Sequence, residues 1–344
     1  MADKKNRKEQ HYVAEDQIED LQGKELSAEE QRRLDEAREK ELERLEREDV
    51  VISPARMVWN NFKARKITMI GAGMFLFIIL FSLLLPVFLP EIETDMANRR
   101  VGPSLFFWRE GHYLFGTDNH GRDVFLRVAD GGFVSLYVGA VATFISVIIG
   151  TIIGSVSGYF HGIIDNILQR FTEIVRAFPF LPLVITLSAA IGADLDEDER
   201  IFLIMVILGV IGWTGLARLL RGQILSLREQ EFILAARAMG VKNFQIIAKH
   251  IIPNVISLII VSATLQFAAN ILVESGLSFL GFGVQEPGNS WGLLLRQGTR
   301  DSSVIQNQPW LWFFPGLFIL ATVLSINFIG DGLRDAVDPR NVRR

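Results

Sequence analysis

An all-α membrane protein with six transmembrane helices is the fold class this sequence predicts, and three observations predict it. Hydrophobic residues fill 49% of the 344 positions although the first fifty are almost wholly polar, so the apolar content is concentrated in the remaining part of the chain, as membrane spans require. That remainder divides into six apolar runs, each of about 20 residues or more, the length needed to cross a bilayer core. The lysines and most arginines fall in the loops on one side of those runs, which is the usual bias of cytoplasmic segments.

Residues 1–66 read as a charged cytoplasmic extension. Residues 1–50 hold eleven Lys/Arg against seventeen Asp/Glu, which leaves the rest of the chain at a net +2. That near-neutral balance offers nothing to nucleic acid. No apolar stretch comes directly after the N-terminus, so the sequence has no cleavable-signal pattern. Ser27 and Glu30 have the spacing of a capping box. A Glu/Arg-rich helix is expected after it, to about Asp49, with Glu29/Arg33, Glu36/Lys40 and Glu43/Arg47 as i,i+4 pairs worth roughly 0.2–0.5 kcal/mol each. Leu34, Leu42 and Leu45 are too sparse for a coiled-coil seam. A solvated helix and a partner-binding helix both remain open. Arg56, Lys63, Arg65 and Lys66 then mark the inner side of the first span, residues 67–90.

Residues 91–132 are expected to form an extracytoplasmic loop, and residues 133–330 the transmembrane core. Its second span, Phe133 to Tyr159, carries Gly139, Gly150, Gly154 and Ser157, small residues that permit close helix approach. The third, about Ile163 to Ile191, has a polar entry and contains Pro179 and Pro182, so a kink or break is expected. The fourth runs from Ile201 to Leu220, the fifth from Val255 to Phe282 and the sixth from Trp310 to Ile329. Beyond Lys66 the only lysines are Lys242 and Lys249, both in the fourth-to-fifth connection, residues 221–254. That connection and the tail, residues 331–344, are placed inside with the N-terminus. The acidic loop from Asp194 to Arg200 is placed outside. Arg99, Arg100, Arg109, Arg122 and Arg127 in the first outer loop run against this bias.

No catalytic constellation stands out, and no enzyme activity is expected. There is no phosphate-binding G-x-x-x-x-G-K-[ST] loop, so ATP hydrolysis is not expected of this chain. The five histidines are scattered and show no metal-ligand spacing, and there is no cysteine, which removes thiolate zinc sites and cysteine nucleophiles. Within the spans, Gln266, Asn270 and Glu274 share one region of the fifth helix. They read either as candidates for a translocation path or gate, or as hydrogen bonds between helices. An embedded carboxylate costs roughly 2.5–3.5 kcal/mol at a helix centre, so Glu274 needs partners under either reading.

The segment Glu231 to Asn254 is the unusual one, polar and basic between two long apolar runs. Glu231 to Met239 fits a short helix, Gly240 a C-cap at positive φ, Asn243 an N-cap of a second helix to Ile252, and Pro253 the start of the fifth span. Ala235, Ala236 and Ala238 keep the first helix narrow. A plain connector and a surface docked by another protein are equally compatible with this pattern.

Several motifs resemble one family. AARAMG and KHIIPN (within 235–254) resemble the EAA loop of ABC-transporter permeases, in particular the second permease of oligopeptide and dipeptide importers. LFGTDNHGRDVFLRV (Leu114 to Val128), GWTGLARLLRGQILSLREQEFILAARAMG, ESGLSFLGFGVQEPGNSWG and PWLWFFPGLFILATVLSINFIGDGLRDAVDPR match further stretches of that family in the same order. The resemblance covers about residues 55–344. Leu234 stands where the general EAA pattern has an acid, and Glu231 supplies one a few residues earlier; Ile252 replaces the usual leucine before proline. The resemblance implies a type I ABC importer permease fold in the cell membrane and peptide cargo, with nickel or another small solute as the alternative. It implies a homologous second permease, two ATP-binding subunits that use ATP, and an extracytoplasmic peptide-binding protein as partners. No cofactor is expected on this chain itself. Glu231, Ala235, Ala236, Gly240 and Pro253 would belong to the loop that couples to the ATPase. The outer segments Gly116 to Arg127 and Gln285 to Trp291, with Trp291 exposed, would face the binding protein, although packing explains them equally well. A secondary transporter or channel, the reading from another class, would call for internal repeats and paired membrane carboxylates, which the sequence does not show.

Overall fold

The computed structural model describes residues 54–88, 92–105, 111–160, 162–192 and 195–337. The charged extension before residue 54, with its predicted capping box and ion pairs, lies outside the described residues, as does the tail after residue 337. Two compact units divide after Met57, and the second, Val58–Arg344, holds all the spans.

Every long element among the described residues is a helix. After α1 (Pro54–Ala64) and α2 (Lys66–Phe88) come α3 (Val124–Tyr159), α4 (Ile163–Ala177), α5 (Phe180–Ile191), α6 (Glu197–Gly212) and α7 (Thr214–Leu227). The short α8 (Glu231–Ala238) and α9 (Asn243–Ile246) precede α10 (Ile252–Leu280), and α11 (Trp291–Gly298), α12 (Ser302–Asn307) and α13 (Trp310–Val337) complete the series. Five helical stretches are long and apolar enough to cross a membrane, and six if the bent pair α4–α5 counts as one span. Large apolar side chains such as Ile70, Phe77, Phe144 and Ile152 stay exposed on the outside of these helices, where hydrocarbon and not water is the matching solvent.

Central α3 packs against α2, α6, α7 and α10. Its contact with α7 depends on missing side chains: a Cβ on Gly154 would stand 2.7 Å from the Ala217 carbonyl oxygen. That small-residue seam lets the two backbones approach closely. The helix begins nine residues before the sequence-based boundary of 133, because Asp123 caps it by accepting from the Phe125 amide at 2.8 Å. Arg127 and Asp130 look like loop charges in the sequence, but both are engaged by partners within the fold.

The expected third span is broken. α4 and α5 meet at 77°, with Pro179 as the N-cap of α5. The other boundaries shift modestly. The fourth span continues as α7 to Leu227, and the sixth runs to Val337, past the predicted start of the tail at 331. The connection between the fifth and sixth spans holds two helices not separated in the sequence, α11 and α12, started by Ser290 and Asp301, whose side chains accept from the Leu293 and Val304 amides. Trp291 is fully buried, and its Nε1 donates to the Val128 carbonyl at 2.9 Å. The expectation of an exposed Trp291 is therefore wrong; the indole is a core residue that fastens α11 to α3.

Candidate functional site

The segment between α7 and α10 folds as a seated helix followed by a tight turn. In α8, Ile233 and Ala236 are buried, at 0% and 3% exposure. They close an apolar cluster with Tyr159 from α3, Leu216, Leu220 and Ile224 from α7, and Ile246, Ile251 and Val255 from the next helix. At 3.6 residues per turn, the opposite crest carries Glu231, Ala235 and Ala238, all exposed. Exposed Phe232 and Met239 flank the crest on one side and exposed Leu234 on the other. The paired alanines therefore differ: Ala235 faces outward, and Ala236 faces the protein's own spans. Glu231 sits in the first turn, where a carboxylate complements the helix dipole.

α8 ends in a Schellman turn. The Val241 amide donates to the Ala236 carbonyl at 3.1 Å and the Gly240 amide to that of Arg237 at 3.0 Å, with Gly240 at φ 76°. A Cβ at Gly240 would meet nothing within 4 Å, so its requirement is purely one of backbone conformation. Val241 packs on the same cluster as Ala236, the apolar contact that accompanies this motif.

Asn243 does not act as the expected N-cap. Its Oδ1 instead accepts from the Tyr159 hydroxyl at 2.8 Å, and the Arg237 guanidinium lies 5.4 Å from the centre of the Tyr159 ring. Nor does a second helix stop before the fifth span. From Asn243 to Leu280 the chain is one 38-residue helical stretch, with a π-helical turn at Ile247–Ile251. Pro253, at the start of α10, lacks an amide proton. The wider turn just before it absorbs the mismatch, with the Ile252 amide bonded to the Ile247 carbonyl and the Asn254 side-chain amide donating to the His250 carbonyl at 2.6 Å. Close by, Arg221 of α7 holds Asp165 of α4 through two bonds of 2.7 Å each, and Ser157 of α3 donates to the same carboxylate at 2.6 Å. This bundle end is tied across α3, α4, α7 and α8.

Gln266, Asn270 and Glu274 point into packing between helices of this chain. Gln266 donates to the Gly212 carbonyl at 3.2 Å, at the break between α6 and α7. Asn270 donates to Thr143 Oγ1 at 2.9 Å. Glu274 is fully buried and accepts from Ser278 at 2.8 Å and Ser275 at 3.3 Å. Ser278 in turn accepts from the Val284 amide at 2.9 Å, and Ser188 of α5 bonds the Phe282 carbonyl. Glu274 thus anchors the turn that ends α10.

Sequence reasoning missed a network at the same end of the bundle. Asp118 accepts from the His120 amide at 2.7 Å, from Arg122 Nε at 2.7 Å and from Arg127 Nη1 at 2.7 Å. Burial works to raise the Asp118 carboxyl, but the Arg127 and Arg122 charges and the Arg122 amide outweigh it and hold the group below its ordinary range. Arg122 also pairs with Glu286 at 3.4 Å. The G-T-D-x-x-G-R-D spacing was the available signal. Among the described residues there is no cluster of three or more His, Asp or Glu suited to a metal ion.

Residues 147–343 match the family described as binding-protein-dependent transport system inner membrane component, and residues 53–103 match the N-terminal transmembrane domain of oligopeptide transport permease C. The oligopeptide transport system permease protein OppC of Haemophilus influenzae is 44% identical over 292 residues, covering 83% of this chain and 90% of the relative. That of Escherichia coli K12 is 47% identical and covers 72% of this chain and 78% of its own. The dipeptide transport system permease protein DppC of Bacillus subtilis is 37% identical, with 84% and 87% covered. Among solved structures, an inward facing form of the MetNI methionine ABC transporter aligns with a TM-score of 0.48 at 21% identity, over 61% of this chain and 96% of that one.

Proposed function

Since this chain belongs to the family of binding-protein-dependent transport system inner membrane components, we propose that it is the permease subunit of an ATP-driven importer of oligopeptides or dipeptides. Its relatives named for peptide transport support peptide as the cargo. The chain itself performs no covalent chemistry in this account. A homologous second permease completes the pathway, two ATP-binding subunits bind and hydrolyse ATP, and an extracytoplasmic peptide-binding protein delivers the cargo. The α8 end, with both termini, faces the cytoplasm, and α11 faces outward.

The observation that carries the mechanism is the two-sided character of α8. Its inner face is locked into the bundle by Ile233 and Ala236, while its outer crest is small and flanked by Phe232, Leu234 and Met239. Such a crest enters a cleft on an ATPase without rebuilding the permease. Because the seat joins α3, α7 and the helix beginning at Asn243, displacement of α8 moves those helices together. The 38-residue stretch carries the displacement across the membrane to the turn anchored by Glu274. ATP shifts the gating equilibrium only through differential contact between the ATPases and the permease states, and α8 is where that contact is made.

The test exploits the absence of cysteine in the chain. Met239→Cys, the single thiol in the permease, is treated with a short bifunctional crosslinker in membranes that hold the assembled transporter. Crosslinking to an ATPase subunit that changes on ATP addition is expected. A thiol that labels freely with a soluble reagent but never crosslinks to an ATPase refutes the docking role.

A further inference from the structure

Where α2 begins, the bundle holds a cavity of about 480 Å³, lined by Arg65, Lys66 and Ile67 on one side and by Phe328 and Asp331 of α13 on the other. Lys66 opens a 23-residue helix that carries no further charge, so the cavity stands at the boundary between head groups and hydrocarbon. Just before it, exposed Trp59 stacks on Phe62 with ring centroids 5.9 Å apart, and the Lys63 ammonium lies 4.6 Å from the centre of the Trp59 ring. Amphipathic aromatic rings of this kind favour head-group depth.

The surroundings call for an amphiphile. From Ile67 the exposed apolar side chains continue along α2 as Ile70, Phe77, Leu80 and Leu84, a stripe at helical spacing that hydrocarbon covers. A molecule in the cavity meets charge at Lys66 and acyl-chain territory at Ile67. No chain passes between α2 and α13, because the two helices touch there: a Cβ on Gly71 would stand 2.7 Å from the Phe328 Cβ. The apolar part of the occupant therefore runs over the stripe. A free ion or a polar peptide would fill only the charged half.

The charges then select the head group. Arg65 is paired with Asp335. Lys66 and Asp331 form no ion pair among the described residues, and both are exposed, so a bound group reaches them. One open cation and one open anion in a single cavity match a zwitterion, phosphate on Lys66 and ammonium on Asp331. A primary ammonium donates charge-assisted hydrogen bonds to a carboxylate, whereas a quaternary one has no N–H to donate. A head group with net negative charge leaves Asp331 opposed.

We propose that this cavity binds the head group of a phosphatidylethanolamine, its phosphate on Lys66 and its primary ammonium on Asp331, with its acyl chains along Ile67 and Ile70. The proposal requires that α2 span the bilayer and is independent of what the protein transports.

The test is thermal unfolding of the purified, delipidated full chain in detergent, titrated with dioctanoyl phosphatidylethanolamine, phosphatidylcholine or phosphatidylglycerol. A saturable rise in Tm is expected, as for any ligand that binds only the folded state, with half-saturation by the ethanolamine lipid at a concentration about tenfold lower than by the choline lipid, the effect of one charge-assisted bond. Asp331→Ala erases that difference, and Lys66→Gln weakens the response to all three lipids; both positions are exposed, where substitutions leave the fold itself nearly unchanged. Glycerophosphoethanolamine, the head group without chains, raises Tm only at far higher concentration. Equal responses to the ethanolamine and choline lipids, tighter binding of phosphatidylglycerol, a preference that survives Asp331→Ala, or binding of the chain-free head group as tight as that of the lipid would each overturn the proposal.

Discussion

Two adjacent alanines make the sharpest test of how α8 works. Ala236→Glu places a carboxylate in a cluster where the native side chain is 3% exposed and the neighbours are Tyr159, Leu220, Ile224 and Ile251. Overpacking a filled core costs about 1–3 kcal/mol, and an unpaired buried ion adds several kcal/mol unless it takes up a proton. The sum is at least about 3 kcal/mol, a large share of the roughly 5–15 kcal/mol that holds a typical domain together. Ala235→Glu adds the same group on the exposed crest, where substitutions usually stay within about 0.5 kcal/mol. Its effect falls on docking, because an unpaired charge is desolvated when the crest enters a partner cleft. Thermal unfolding of the isolated chain and co-purification of the ATPase subunits, measured on both variants, separate these effects. Ala235→Glu is expected to unfold at the wild-type temperature and lose the ATPases, whereas Ala236→Glu unfolds several degrees earlier. Normal ATPase yield with Ala235→Glu, or an unchanged Tm for Ala236→Glu, refutes the assignment of faces.

Single contacts carry further expectations. Gly240→Ala forces a side chain into the left-handed region at about 1–2 kcal/mol, and Gly240→Asn, which tolerates that region, should restore most of the lost uptake; equal defects in the two variants would exclude a conformational cause. Tyr159→Phe removes the bond to Asn243 but keeps the ring beneath Arg237, so a loss of about 0.5–1.5 kcal/mol and a partial fall in uptake per ATP hydrolysed are expected, and wild-type coupling counts against the tie. Asp118→Ala leaves Arg127 buried without its charge partner, which costs about 3–5 kcal/mol, read as a drop in Tm. The Asp118 carboxyl is held below its ordinary range in the folded state. Its contribution is therefore present above the unfolded value of about 4 and lost as pH falls through the lower folded value. The gap in stability between wild type and Asp118→Ala should narrow only below about pH 4, and a gap that closes between pH 5 and 7 contradicts this assignment.

The spans were legible because run length is a one-dimensional property, and so was the positive φ at Gly240, since only glycine settles there freely. Pro179 announced a break, but its 77° angle depends on what α5 packs against. The start of α3 was misplaced because Arg127 reads as a loop charge until Asp118 is known to neutralise it. Burial of Trp291 and the opposite facing of Ala235 and Ala236 are tertiary facts. The i,i+3 spacing of Ile233 and Ala236, which puts both on one face of a helix, was the available signal for the latter. Helices α11 and α12 were hidden by their shortness, although Ser290 and Asp301 are good N-cap residues. Gln266, Asn270 and Glu274 were recognised as a set, but only their partners show each to bond within the bundle.

Peptide uptake into vesicles tests the central claim most directly. The chain is reconstituted with its second permease, two ATPases and binding protein, and labelled peptide is supplied on the binding-protein side. Accumulation is expected with ATP on the α8 side, and none with a non-hydrolysable analogue or with Ala235→Glu in place of the native chain. Peptide accumulation by this chain without the ATPases, driven by an ion gradient, would contradict the account.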